Sequence, residues 1–123
     1  MREYAEELNG TELRLVANFA ASVKISENVA DPMMIAREAN LEAMFLEQGM
    51  PYTPRWHFTV KNIVELLFIG VQEGGSDMKK SDLEELVFEA GFARARDLCV
   101  EYLALIVGPS PENFKEDESS EGN

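Results

Sequence analysis

The chain has 123 residues, 46% of them hydrophobic, a single cysteine, and 23 acids against 11 lysines and arginines, a formal net charge of −12. That length suits one domain with a core of its own, built without disulfides or a structural metal. The charge argues against nucleic-acid binding, which depends on neutralising phosphates with Lys and Arg, and no apolar run approaches the roughly 18 residues of a membrane span. The segment MREYAEELNG lacks the apolar core of a signal peptide, and lone Cys99 fits a reducing compartment, so the cytoplasm is the expected location.

The first predicted element is a β-hairpin, YAEEL-NG-TELRLVAN. Asn9-Gly10 is the dipeptide favoured by a type I′ turn, whose two central residues both need positive φ. Leu13 and Leu15 alternate with Arg14 and Val16, which gives one apolar strand face. Asn18 is a candidate cap for a short helix, FAASVKISENV. Asp31-Pro32 opens the next one, since Asp caps well and Pro suits the first helical position. That helix runs PMMIAREANLEAMFLEQ and stops at Gly49.

The link MPYTPRWHF, with two prolines, reads as a packed loop. Thr59 caps VKNIVELLFIGVQE, which ends at Gly74-Gly75. Ser81 and Glu84 have the spacing of a capping box for a further helix that Gly91 ends. FARARDLCVEYLALIV follows, up to Gly108-Pro109. The expected fold is mainly α: an N-terminal β-hairpin followed by a compact bundle of four to five helices, one globular domain over residues 1–107. Residues 108–123, with five acids, one lysine and two prolines, read as an acidic disordered tail.

A turn of about 100° per residue maps the helix faces. Val60, Ile63, Val64, Leu67 and Val71 form a core face, while Ile69 falls among polar residues. Leu83, Leu86, Val87 and Ala90 share a face, with Phe88 across from them beside Glu84. The last helix is apolar around most of its circumference, so it is expected at the centre. The Pro32 helix carries two apolar stripes. Ile35, Ala36, Ala39, Ala43 and Leu46 form one, assigned to the core because its small residues let a helix approach. Met34, Leu41 and Phe45 form the other. Either the hairpin or the Trp56 loop covers this second stripe, which is the commoner arrangement, or a partner chain does, using the adaptable methionine. Candidate partner-binding residues are therefore Met34, Leu41, Phe45, Trp56, Ile69 and Phe88.

Nothing points to catalysis, a cofactor or a metal. His57, the only histidine, has no evident partner or pocket, and Cys99 lies on an apolar face. Glu38 and Glu42 lie one turn apart without the Glu-x-x-His of bundle metal sites, so a solvated face is expected. A hydrolase built on these two glutamates is the enzyme alternative. Gly74-Gly75 ends a helix, whereas phosphate loops open one.

The order of elements carries a resemblance. A hairpin with an Asn-Gly turn leads to a helix ending I-G-V-Q-E-G-G, then L-E-E-L-V-F-E-A-G, then a helix ending Y-L-A-L-I-V-G. This resembles the small tail-assembly proteins of gene transfer agents and lambda-like siphophages, over roughly Leu8 to Val107. The segment from Asp31 to Pro54 departs from that pattern. The resemblance implies a non-enzymatic tail-assembly chaperone that binds tape-measure and tail-tube proteins in the host cytoplasm, and a homo-oligomer is compatible with it. A small helical adaptor or regulator, or a minor structural component of the tail, are the alternatives.

Overall fold

In the computed structural model, which describes residues 2–109, Asn9 and Gly10 both take positive φ, 49° and 83°. They join β1 (Arg2–Leu8) to β2 (Thr11–Ala17) as an antiparallel pair whose last partners are Leu8 and Thr11. This two-residue connection is the one an Asn-Gly turn favours. Five helices follow: α1 (Phe19–Asn28), α2 (Pro32–Glu47), α3 (Val60–Glu73), α4 (Lys80–Ala90) and α5 (Phe92–Val107). The chain is thus mainly α with an N-terminal hairpin, as expected. The acidic stretch from residue 110 onward, expected to be a disordered tail, lies outside the described residues. No helix among the described residues is long and apolar enough to cross a membrane.

Four helices start where the sequence predicts, α5 directly after Gly91 and the other three at side-chain caps. The Asn18 side chain accepts from Ala21 N–H, Asp31 from Met33 N–H and Thr59 from Asn62 N–H. Each satisfies one of the amide groups a helix start leaves unpaired. The capping box at Ser81 does not form. The helix begins two residues earlier, at Lys80 with Lys79 at the cap position, and no side chain caps it.

The core lies where α3 and α5 meet each other and the inner face of the hairpin. Leu13 and Leu15 of β2, Leu66 and Leu67 of α3, and Leu98 and Tyr102 of α5 are all buried within it. Val16, assigned to the polar strand face, is buried too. The end of α3 runs beside it, and Arg14 Nη1 donates to Gly74 O at 3.4 Å. Gly70, inside α3, allows this close contact. A Cβ there would sit 2.9 Å from Leu15 Cδ2 and 3.2 Å from Tyr102 Cζ. The Tyr102 hydroxyl donates to Val16 O at 2.8 Å and ties α5 to the strand.

Two face assignments on α3 reverse. Ile69 is only 4% exposed and belongs to the core, so it is not a partner-binding residue. Val60, assigned to the core, is exposed. The helical wheel places both correctly in angle, but α3 is covered on several sides by β2, α1, α4 and α5. Its buried arc is therefore wider than one stripe, and its first turn projects beyond that cover.

Candidate protein-binding surface

Of the α2 residues, only Pro32, Ile35 and Glu38 are buried. Ala39, Ala43 and Leu46, expected in the core, are exposed, Leu46 by 76%. The helix therefore packs through its first half and leaves its second half largely uncovered. Met44 and Met50 are also exposed there.

Glu38 corrects a second expectation. It is the one buried charged residue among those described, 4% exposed, and is not on a solvated face. Its Oε2 accepts from the Tyr52 hydroxyl at 2.8 Å and its Oε1 from Arg55 N–H at 2.5 Å. These bonds fasten the loop between α2 and α3 to α2. The Arg55 N–H, and after it the Tyr52 hydroxyl, hold the carboxyl below its ordinary pKa. The same bond raises the Tyr52 phenol. No periodicity signals this, because the partners lie in an irregular segment 14 and 17 residues away.

The proposed stripe of Met34, Leu41 and Phe45 is half-buried by the chain itself. Met34 packs against the core, and the Phe45 ring stacks on Tyr52 with centroids 5.0 Å apart. The loop thus covers part of the stripe, the commoner of the two arrangements. Trp56 is likewise half-buried and meets Phe58 edge-on at 5.0 Å. Phe88 alone of the six candidates stands well into solvent.

Beside the fastened loop lies a cleft of about 300 Å³ that brings Glu38, Glu42, His57 and Arg96 together with Trp56. His57 therefore does have a pocket, which the sequence did not reveal. Both Glu38 oxygens are occupied by the loop, and Arg96 lies over the Phe58 ring at 5.6 Å. No hydrogen bond joins His57 to either glutamate among the described residues, and no set of three or more His, Cys, Asp or Glu side chains there is placed to hold a metal ion. Cys99 is buried, its thiol faces Ile63 O at 3.5 Å, and burial pushes its pKa up. A thiol in that state is a poor nucleophile.

A further exposed apolar surface lies elsewhere, outside the six candidates. A groove of about 350 Å³ runs between Val23 of α1, Met33 at the start of α2, and Ile106 and Val107 at the end of α5. It continues past Ser22 and Ile106 into a hollow of about 280 Å³ beside Phe19. Phe19 is 84% exposed and Met33 65%. Apolar groups gathered around a concavity mark interaction surfaces more than isolated exposed residues do. Arg2 borders the hollow and closes the end of α5, donating to Leu105 O at 2.6 Å and Gly108 O at 2.7 Å. It caps carbonyls that a helix end leaves unpaired. The helical wheel does not reveal the groove because three helices each contribute only one or two apolar residues to it.

Comparison of this chain with protein-family models, with curated proteins and with solved structures gives no match.

Proposed function

We propose that this protein is a non-enzymatic tail-assembly chaperone, which holds aggregation-prone tail proteins of the tape-measure and tail-tube kind in the host cytoplasm. The element order supports the class. The observation that carries the binding role is the groove between α1, α2 and α5, flanked by exposed Phe19 and Met33. A holding chaperone needs an apolar surface that remains available after its own core is complete. Methionine at the groove suits clients of varied shape. The net charge of −12 favours solubility of a complex with an apolar client.

The groove replaces the Met34, Leu41 and Phe45 stripe as the working surface, because the chain covers that stripe in part with its own loop. Co-expression with a phage tape-measure protein tests the reading. The wild-type protein should keep that client soluble and co-purify with it. Phe19→Ser and Met33→Asp should lose the client while retaining helicity by circular dichroism. Normal client retention by both variants would remove the groove from the proposal. A gene neighbourhood without phage structural genes would favour the adaptor reading.

A further inference from the structure

The outer face of α4 carries a second apolar feature, separate from the groove. Phe88 is 70% exposed, and its ring meets Phe92 edge-on with centroids 6.1 Å apart. An aromatic pair of this size gains nothing from standing in water. At 100° per residue, Glu84 falls on one flank of Phe88, with Glu85 and Glu89 on the other. All three are exposed. The core side of the helix is held separately, by buried Leu83 and Val87.

The charges on this face are poorly placed for the isolated molecule. Glu85 and Glu89 are like charges one turn apart, which destabilises a helix. Glu89 also lies in the last turn, where the helix dipole disfavours an acid, and no basic residue is present in that turn. The neighbouring cations do not relieve them. Lys80 pairs with Glu65, and Arg94 pairs with Glu6 at 3.5 Å. An exposed aromatic anchor inside an uncompensated anionic rim matches a partner with an apolar stripe bordered by lysines or arginines.

We propose that the outer face of α4, with the adjoining start of α5, docks a cationic amphipathic helix of a partner protein, with Phe88 of α4 and Phe92 of α5 as the apolar anchor and Glu84, Glu85 and Glu89 as the charged rim. Complementary charge would set the encounter rate and orientation, and the aromatic pair would supply the specific affinity. The surface is distinct from the groove, so the two can be occupied independently.

The test uses the full chain and a labelled synthetic helical peptide of about 16 residues, long enough to form a helix on the surface. The peptide carries leucines on one face and lysines beside them, and binding is followed by fluorescence anisotropy. Phe88→Ser should weaken it about tenfold or more, the loss expected for an aromatic anchor. Glu85→Lys with Glu89→Lys should weaken it comparably, and raising salt from about 50 to 300 mM should weaken wild-type binding. Met33→Asp in the groove should leave it unchanged, so that failure of the groove reading and failure of this one are separable. Undiminished binding to Phe88→Ser would show attraction to net charge alone and overturn the proposal. Equal binding of a glutamate-bordered peptide, or no binding of the lysine peptide, would overturn it as well.

Discussion

Tyr52 and Glu38 are joined by a 2.8 Å hydrogen bond that, with the Arg55 N–H, holds the connection between α2 and α3 in place. The glutamate spans two segments that have no other polar reason to meet. Glu38→Gln preserves shape but turns one acceptor oxygen into a donor, so one of the two donors facing it loses its partner. The variant should have a lower Tm than the wild type, and the loop should be cut earlier in limited proteolysis. Tyr52→Phe removes one bond only and should show a smaller effect in both assays. Equal protease resistance of wild type and Glu38→Gln would show that the loop is held by Phe45, Trp56 and Phe58 alone.

The same bonds set a pH dependence. Glu38 is held below its ordinary value, so its contribution is complete above the unfolded pKa of about 4.3. It is lost as pH falls through the lower folded value. Glu73, lowered by Lys24 and then by Asn18, behaves in the same sense. Tyr52 is raised, so its contribution is complete below about 10 and disappears as pH rises through the folded value. Melting curves of wild type and Glu38→Gln should therefore differ by a constant amount near neutrality and converge in acid. A difference that stays constant down to full protonation would contradict the bonding described.

Gly70 and Tyr102 form a coupled contact. A methyl group at Gly70 removes glycine's helix penalty, a gain of about 0.8–1 kcal/mol. It also presses on a ring 3.2 Å away that is tethered to Val16 by its own hydroxyl. Overpacking of this kind costs about 1–3 kcal/mol, so Gly70→Ala should be a net loss. Tyr102→Phe should cost about 1–3 kcal/mol by removing the donor from a buried carbonyl. The Phe ring is no longer tethered and can shift, so the double variant should be less destabilised than the sum of the two. Denaturant melts of the four proteins give the coupling directly, and strict additivity would show that the ring is not the obstacle.

What sequence reasoning could find here was local. The Asn-Gly turn and the Asn18, Asp31 and Thr59 caps each act over two or three residues, and all appear in the structure. Face assignments were less secure because burial depends on what packs against a helix. Ile69 and Val60 exchanged roles for that reason, and Ala43 and Leu46 were left exposed because α2 buries nothing beyond Glu38. Glu38 resembles any surface glutamate until the loop is seen to return to it. The groove was invisible because its walls come from α1, α2 and α5 together, and only their packing brings Val23, Met33, Ile106 and Val107 side by side. Phe88 was found because its neighbours in α4 already satisfy the core, which makes it an outlier on its own helix.

Met33 and Met34 separate surface from core at adjacent positions. They occupy the second and third positions of α2, close to the cap provided by Asp31. An aspartate at either gains similarly from the positive end of the helix dipole, about 0.3–1 kcal/mol. The difference between the variants therefore reports packing. Met33 is 65% exposed at the groove, so Met33→Asp should change stability by no more than about 0.5 kcal/mol. Met34 is half-buried against the core, so Met34→Asp should cost about 2 kcal/mol through lost apolar burial and a desolvated carboxylate. Denaturant midpoints at neutral pH test this directly. Equal stability of the two variants would mean that Met34 contributes little to the core, and the α2 stripe would again be available to a partner.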